Sequence, residues 1–475
     1  MAAPGAPNTG VPPEGGEEAP FAFEETFDKV KTKPCKVEKL GLIGLKRTKN
    51  GLVLRELLKV RDARTLDEIK DTLLEAYEEL MGLDIFEAVE VVVDADEKGR
   101  KDRCNVRAEF VEKSVLRLHT GTYVQGTEGS VEASLNLTNP LGYAEQVSLT
   151  AEYGSQSTNV YSLAITKPKP AGLPLLLDFR LNQLFHSYQW TSSFSELLRG
   201  GALTLTSEDA RHAVSYELGW RQLTDTSQLA SHAVRQQLGD QLKSAVRYIG
   251  RHSTLDDPAY PTSGYGLRLT SEVAGLGTDP NLLRFVKNSV MGQVAFPLAG
   301  GAAFVLSGEA GLLLPWGSKW QGTTSISDRF FLGGIGSGAL RGFKQKGVGP
   351  TDLRRPAPRE EGEPRALRDS LGGDLVLSLL AAVNFPVPVP TLRAAGMHGQ
   401  LFLNGGNILA LGGTGKSLRD AWQEFSTSFR WSVGAGIVWP TRIGRLELNV
   451  AQVLTSQEHD KVKRGIQFGF TPPAY

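Results

Sequence analysis

The sequence of 475 residues has few of the features by which many protein classes are identified. Lys and Arg together number 52, as do Asp and Glu, so the chain has no net positive charge that would attract nucleic acid. The only cysteines are Cys35 and Cys104, and neither belongs to a CxxC pair or to a metal-ligand spacing with histidine. We expect two structural thiols, with a disulfide between them as the alternative.

Targeting and membrane-spanning segments are also missing. No stretch approaches the ~18 consecutive apolar residues of a membrane-spanning helix. The first residues lack the basic and apolar regions of a secretory signal and the arginines of an organelle-import peptide, so we expect neither route. Residues 1–28 are rich in Pro, Gly and Glu, which predicts a disordered tail. A soluble protein and a β-barrel, whose strands need only ~9–11 residues, both remain open.

Signatures of catalysis are scarce. The seven histidines are scattered, and neither a GxSxG elbow nor an HExxH helix occurs. The run ALGGTGKS at residues 410–417 has the spacing of a phosphate-binding loop, with Ala in the first Gly position. No alternation of strands and helices surrounds it, which favours a glycine-rich loop over a nucleotide site. We therefore expect no enzymatic activity, no cofactor and no metal.

What is present begins with a module at residues 29–114, whose patterns predict the order β-α-α-β-β. Its second helix is predicted to begin at Thr65, which stands in capping-box spacing with Glu68. Four apolar residues then fall on one helical face, namely Ile69, Leu73, Tyr77 and Leu80. A strand at residues 87–94 would follow, with an exposed edge.

Residues 115–475 have a different pattern, because apolar and polar residues alternate in about sixteen short runs rich in glycine. Short and long connections alternate, and the long ones lie near residues 222–241, 316–371 and 411–424. In an up-and-down barrel, alternate connections leave the same end. We predict a mostly β protein, a 16-stranded antiparallel transmembrane β-barrel preceded by one small α+β domain.

The segment at residues 316–371 is far longer than an ordinary connection. It contains FFLGG at residues 330–334, LRGF at residues 340–343 and a strongly charged stretch at residues 354–368. Large apolar side chains are not left in water by preference, so we expect the apolar part to insert into the barrel lumen. Arg341 would then need polar partners, because a buried unpaired cation is costly.

LRGF resembles the V-R-G-F or V-R-G-Y hallmark of outer-membrane assembly and translocation barrels that carry POTRA domains. Other segments resemble this superfamily too: LDDPAYPTSGY (255–265), DRFFLGG (328–334), GGD (372–374), FLNGG (402–406) and SVGAGIVWP (432–440). The module at residues 29–114 resembles a single POTRA domain. One such domain, about sixteen strands and no secretory signal most resemble the mitochondrial branch, the barrels of the sorting and assembly machinery. A plastid outer-envelope relative is the alternative.

The resemblance implies a loop latch made of Leu340, Arg341, Gly342 and Phe343. Amides stand where the family has acidic partners, and Asp374 lies nearby in the sequence. We therefore expect Arg341 to make hydrogen bonds to amide oxygens in place of a carboxylate pair. The candidate partners are the amides Asn404 and Asn384, with the carboxylate of Asp374 as a further contributor.

The first and last barrel strands, at residues 116–125 and 463–470, contain glycines that weaken strand pairing, although ordinary barrel glycines are the alternative reading. A weak junction leaves backbone groups free to template another strand. The segment KRGIQFGF at residues 463–470 also resembles the sorting signal of the barrels that this family assembles. We predict a lateral seam formed by Leu116, Leu118, His119, Thr120, Gly121, Lys463, Gly465, Phe468 and Phe470.

The function implied by the resemblance is insertion and folding of β-barrel proteins in the mitochondrial outer membrane, with the POTRA domain in the intermembrane space. The implied partners are unfolded β-barrel clients, accessory subunits of the assembly complex and membrane lipid, without nucleic acid. A protein-translocation channel of the same superfamily and a passive pore are the alternatives.

Overall fold

The computed structural model of the chain divides into two compact units, residues up to 115 with 138–145, and residues 116–137 with those from 146 onward. The residues that it describes are 31–96, 100, 102–125, 128–155, 158–279, 282–317, 323–335, 339–355, 367–412, 418–441 and 444–471.

The first unit is a three-stranded sheet with two α-helices. Its elements are β1 (Lys36–Ile43), α1 (Asn50–Leu57), a 3-10 helix (Leu58–Asp62), α2 (Leu66–Gly82), β2 (Phe86–Ala95) and β3 (Arg103–Glu112). The order in the sheet is β1-β3-β2, with β1 parallel and β2 antiparallel to β3. Both β1 and β2 are therefore edge strands of this sheet.

Helix α2 begins at the predicted cap. The hydroxyl of Thr65 accepts a hydrogen bond from the backbone N–H of Glu68 at 3.2 Å. The Glu68 carboxylate accepts one from the N–H of Arg64 at 2.7 Å, which satisfies a second free donor at the helix start. The inward face of the helix buries Ile69, Leu73 and Leu80. Tyr77, predicted on that face, is instead 39% exposed.

The two cysteines belong to the same core. Both are free thiols, with Cys104 buried and Cys35 half-buried. Burial, together with a hydrogen bond with Cys35, raises the pKa of the Cys104 thiol to about 12. Cys104 is therefore protonated at neutral pH and is a weak nucleophile, which agrees with a structural thiol.

The second unit consists of β-strands with short helices between them. The strands are β4 (Leu116–Gln125), β5 (Glu128–Thr138), β6 (Gln146–Gly154), β7 (Asn159–Pro168), β8 (Leu175–Ser187), β9 (Ser195–Ser207), β10 (His212–Thr224), β11 (Gly239–Ser253), β12 (Gly264–Ala274), β13 (Phe285–Pro297), β14 (Ala303–Pro315), β15 (Thr351–Leu353), β16 (Arg368–Ser370), β17 (Leu375–Pro386), β18 (His398–Leu409), β19 (Arg430–Thr441), β20 (Gly444–Thr455) and β21 (Ile466–Thr471). The helices are α3 (Gln189–Ser192), α4 (His232–Arg235), α5 (Pro390–Ala394) and α6 (Leu418–Thr427), with 3-10 helices at Pro170–Gly172 and Ala299–Gly301. Across the described ranges, none of the helices has both the length and the apolar character to cross a membrane.

Sixteen of these strands form one antiparallel sheet in sequence order from β4 to β21, and β15 and β16 form a separate hairpin. The predicted 16-stranded sheet is confirmed. Its two faces differ: on β20, Leu448 and Val450 are 42% and 55% exposed, whereas Glu447 and Asn449 are 2% and 0% exposed. An apolar outer face and a polar inner face are the arrangement of a transmembrane barrel.

Connections alternate between the two ends of the barrel. One end, called the turn end, carries the connections 169–174, 208–211, 254–263, 298–302 and 387–397. The other, called the loop end, carries 188–194, 225–238, 275–284, 316–374, 410–429 and 456–465. The three connections that the sequence predicts to be long all lie at the loop end.

The terminal strands β4 and β21 lie at the two ends of the sheet. Strand β21 pairs with β20 and approaches β4 to within 8 Å between Cα atoms, and no hydrogen-bonded ladder joins β21 to β4 in the described residues. The sequence predicts that the last strand starts at Lys463, whereas in the structure it starts at Ile466. Gly465 has a φ of +84°, which turns the backbone before the strand begins.

Candidate functional site

Within the long connection, the described residues 323–335 and 339–348 fold into the barrel lumen. Leu332, Leu340 and Phe343 are fully buried in one hydrophobic cluster that includes Val376 of β17 and Ile408 of β18. Residues 356–366, the middle of the predicted charged stretch, lie outside the described residues. The apolar LRGF segment thus packs against the inner wall of the barrel.

Arg341 is paired with a carboxylate on β20. Its Nε and one terminal nitrogen donate to the two oxygens of Glu447 at 2.8 to 3.0 Å. Both side chains are almost fully buried, and the Arg341 guanidinium also lies 5.3 Å from the ring centroid of Phe402. This two-pronged geometry is the strongest form of arginine–carboxylate contact.

Glu447 is held from three sides. Arg445 donates to one of its oxygens and Asn449 to the other, each at 2.8 Å. The expectation that Arg341 bonds to amide oxygens instead of a carboxylate is therefore wrong for its side chain. Asn404 does contact this residue, but its oxygen accepts the backbone N–H of Arg341 at 2.7 Å.

The other two predicted partners lie elsewhere. Asn384 is buried and accepts a hydrogen bond from Gln400 at 3.0 Å. Asp374 accepts hydrogen bonds from the hydroxyl of Thr324 and the backbone N–H of Leu411, so it holds the base of the long connection. Neither side chain reaches Arg341, because each is already bonded at a different level of the inner wall.

Gly342 and Phe343 contact the last strand. The carboxamide of Gln467 accepts the N–H of Gly342 at 2.7 Å and donates to the carbonyl of Phe343 at 2.8 Å. The backbone N–H of Lys463 donates to the Gly342 carbonyl at 2.8 Å, and Val462 makes a β-bridge with Phe343. The loop thus binds the segment leading into β21 as a neighbouring strand would.

Glycine is required where the loop turns. Gly342 has a φ of +88°, and a Cβ built there would lie 2.9 Å from the Val453 side chain. At Gly469 of β21 a Cβ would lie 2.6 Å from Ile335 of the loop. Backbone at both sites approaches its neighbours more closely than any side chain would permit.

A second anchor holds the long connection on the wall of the barrel opposite Glu447. Asp328 accepts two hydrogen bonds from Arg221 of β10, at 2.8 and 3.2 Å, and lies 3.7 Å from the Lys243 ammonium on β11. Lys287 of β13 donates to the Asp328 carbonyl. Strands β10 and β20 stand eight positions apart in the sheet of sixteen, so the connection spans the lumen between two walls.

Most of the predicted seam residues lie apart from this latch. Leu116 and Leu118 are exposed on the outer face of β4, and Gly121 and His119 alternate to the other face. Thr120 on β4 is also exposed. In and before β21, Lys463, Gly465 and Phe468 are exposed and Phe470 is half-buried. Of the seam residues, Lys463 alone is joined to the latch by a described hydrogen bond.

Sequence reasoning missed Glu447, Gln467 and Arg221. The alternation at residues 446–450 places Glu447 on the inner face, and this is a usable signal for a buried carboxylate. The sequence does not show which loop residue it meets, since Arg341 is 106 positions away. Most of the segment with phosphate-loop spacing, which the sequence predicts to be a glycine-rich loop, lies outside the described residues, at 413–417.

Comparisons with known proteins agree with this architecture. The Omp85 superfamily domain matches residues 139–471. The sorting and assembly machinery component 50 homolog of Mus musculus is 32% identical over 471 residues, covering 96% of this chain and 94% of the relative. A SAM50-like protein of Schizosaccharomyces pombe is 29% identical over 477 residues, covering 96% of both chains.

A solved structure shows the same fold. The crystal structure of BamA from Haemophilus ducreyi lacking POTRA domains 1-3 has a TM-score of 0.74 and 16% identity, covering 91% of this chain and 84% of that one. At this identity the likeness concerns the fold alone. The family match and the near full-length relatives establish that the chain belongs to the Omp85 superfamily, in its sorting and assembly machinery component 50 family.

Proposed function

We propose that this protein inserts and folds β-barrel proteins in the mitochondrial outer membrane. Its relatives are named as components of the sorting and assembly machinery, and its barrel resembles that of BamA. The observation that carries the mechanism is the junction of β4 and β21, where the two ends of the sheet meet without a described ladder. No covalent step is part of the proposal, and it requires no cofactor.

The edge of β4 is the proposed template. The end strand of a sheet presents backbone donors and acceptors along its outer edge, and an incoming strand that pairs with that edge satisfies its own backbone groups within lipid. The client's terminal strand would add to β4 by β-augmentation, and later hairpins would follow through the widened junction. Leu116 and Leu118 are exposed on the outer face of β4, so they would face lipid where the client strand is added.

The latch would keep β21 in place until a client arrives. Strand β21 is short, six residues, and two of its inward residues, Gln467 and Gly469, contact the loop. Displacing the loop would therefore weaken the hold on β21 and free the edge of β4. A passive pore does not need a buried ion pair between a loop and the wall behind its terminal strand.

The N-terminal unit is proposed to be a POTRA domain in the intermembrane space that receives clients. Its element order, strand, helix, helix, strand, strand, supports this identification. Among the described residues, β2 pairs with β3 alone, so its second edge is proposed to accept an extended client segment. Accessory subunits of the assembly complex are proposed as further partners of the protein.

Site-specific cross-linking during client import tests the template. With Cys35 and Cys104 replaced by Ser and Ala, Thr120→Cys on β4 is expected to form a disulfide with a cysteine in the client's terminal strand. Ser271→Cys is the matched control, because Ser271 lies on β12, which is paired on both sides. The cross-link is expected only at Thr120.

Two results would contradict the proposal. Equal cross-linking at Thr120 and Ser271 would mean that clients touch the barrel without choosing the junction. Normal steady-state levels of other outer-membrane barrels after depletion of this protein would remove the assembly function itself.

A further inference from the structure

Arg199 of β9 projects from the lipid-facing surface of the barrel. Along this strand the apolar Leu203 and Leu205 are 44% and 41% exposed on the outer face, and Glu196 is buried on the inner face. Arg199 has the parity of the two leucines and is exposed. Its cross-strand neighbours are Gln183 on β8 and Trp220 on β10.

The guanidinium of Arg199 is only partly engaged by the protein. Its Nε donates to Gln183 Oε1 at 2.8 Å, and its central carbon lies 5.6 Å from the centroid of the Trp220 ring. Among the described residues, no carboxylate pairs with Arg199 and no acceptor is bonded to its two terminal nitrogens. An isolated cation facing lipid is costly, so an anion from outside the chain would stabilise it.

Aromatic residues place Arg199 at the depth of the lipid headgroups. Trp220 and Tyr161 share its row at the loop end, and His212 bonded to Tyr248 lies near the turn end. From His212 to Trp220 the strand is roughly 26 Å long, which at the ~35–45° tilt of transmembrane barrel strands spans about 20 Å along the membrane normal. The two rows thus lie near opposite edges of the ~25 Å apolar band that aromatic girdles flank, with Arg199 within reach of the headgroups at the loop end.

A groove of about 640 Å³ adjoins Arg199 on the outer face of strands β4 to β9. It exists because the small residues Ala133 and Ala151 stand among large ones. The leucines that line it are Leu118, Leu135, Leu149, Leu163 and Leu181. An apolar channel with one cation at its rim has the chemistry of a phospholipid, a charged head above an acyl chain.

We propose that Arg199, Gln183 and this groove bind one anionic phospholipid. The phosphate accepts hydrogen bonds from the terminal nitrogens of Arg199 while Trp220 supports the other face of the guanidinium. An acyl chain lies in the groove and extends toward Leu118 on β4. A zwitterionic lipid binds less tightly, because its own cation offsets the attraction of its phosphate to Arg199.

Competition between two lipids in native mass spectrometry tests the site. The full chain in mixed micelles, given equal amounts of dioleoylphosphatidylglycerol and dioleoylphosphatidylcholine, is expected to retain the anionic lipid preferentially. Arg199→Gln is expected to lower that preference about fivefold, the factor for one cation at a membrane surface. Arg199→Lys keeps the charge and is expected to retain most of it.

The control is Arg180→Gln, one strand away. Arg180 has the opposite parity and lies in the lumen, 3.7 Å from Asp178. Its substitution should leave the preference for the anionic lipid unchanged. An unchanged ratio in Arg199→Gln, or an equal fall in Arg180→Gln, would overturn the site. Ala151→Trp fills the groove without altering charge, and normal retention of both lipids in it would overturn the groove as the acyl-chain site.

Discussion

At the scale of single residues, the loop depends on one backbone conformation. Gly342 lies in the left-handed region, and any Cβ there would press on Val453 and Ser432. Gly465 has nearly the same φ, +84°, but a Cβ there would have open space around it. The pair separates two costs that usually come together, backbone strain and overpacking.

We predict that Gly342→Ala undocks the loop and Gly465→Ala does not. Both substitutions add about 1–2 kcal/mol of left-handed strain, and Gly342→Ala adds about 1–3 kcal/mol of overpacking. Limited trypsin cleavage after Arg341, Lys344 and Lys346 reports the undocked loop. Its rate is expected to rise about tenfold or more for Gly342→Ala relative to Gly465→Ala, and equal rates would contradict the docking geometry.

The residue scale also shows what sequence could and could not provide. The LRGF motif indicated that Arg341 belongs to the latch. The expected burial of Arg341 indicated that its side chain needs a polar partner. It could not identify Glu447, because the register between a long loop and a strand is set by the closed barrel and not by local spacing. The amides Asn404 and Asn384 are buried, as inner-face alternation predicts, yet only Asn404 reaches the loop.

At the scale of elements, β21 is stabilised by a loop as well as by a strand. Gln467→Ala would leave the N–H of Gly342 and the carbonyl of Phe343 unpaired, at about 1–3 kcal/mol each. We predict faster amide hydrogen exchange both in β21 and in residues 340–346. Phe468→Ala, on the outer face of the same strand, should leave exchange in the loop unchanged.

An effect of Gln467→Ala confined to β21 would show that the two elements move independently. In that case the proposed release of the terminal strand by the loop would have no physical basis. Gln467→Glu adds a further check, because a carboxylate still accepts from Gly342 but cannot donate to Phe343. Its exchange rates should fall between those of wild type and Gln467→Ala, because one of the two hydrogen bonds remains.

In the N-terminal unit, one carboxylate organises the segment after β1. Burial tends to raise the pKa of Glu112, but hydrogen bonds from Thr48 and from the N–H groups of Arg47 and Lys46 outweigh it and lower the pKa to about 2. A depressed folded-state pKa means that this stabilisation is present above the unfolded value near 4.5 and is lost as pH falls toward about 2.

We therefore predict that Glu112→Gln destabilises this unit by about 1–2 kcal/mol at pH 7 and by progressively less between pH 4.5 and pH 2. Helices α1 and α2 lie in this unit, so thermal unfolding followed by circular dichroism at 222 nm in detergent reports it. Glu109→Gln, on the same strand, is the control. A difference from wild type that persists undiminished near pH 2 would contradict the assignment.

Element boundaries show where sequence reasoning ends. Period-two alternation found the sixteen strands because each must present one face to lipid and one to the lumen. The start of β21 was placed three residues too early, since Lys463 continues the alternation but bonds to the loop. Tyr77 has helical spacing with the core but is exposed, because Ala76 and not Tyr77 completes the buried face formed by Ile69, Leu73 and Leu80.

At the scale of the whole molecule, the long connection is a strut across the lumen. One end is held through Asp328 by Arg221 and Lys243, and the other through Arg341 by Glu447. After Asp328→Asn, Arg221 keeps Glu196 and Lys243 keeps Glu272, so no cation is left unpaired. After Arg341→Ala, Glu447 keeps Arg445 and Asn449.

We predict that either change alone leaves the lumen closed and that both together open it. Removing one partner of a buried pair costs up to about 3–5 kcal/mol, and the charges that remain paired reduce this cost. With one anchor intact the connection still fills the lumen, so the two effects on conductance should not add. Single-channel recordings in planar bilayers should show near wild-type conductance for Asp328→Asn and for Arg341→Ala, and a severalfold larger conductance for the double variant. A fully open pore in Arg341→Ala alone would mean that the Asp328 anchor contributes nothing to closure, and that the latch at Glu447 holds the connection by itself.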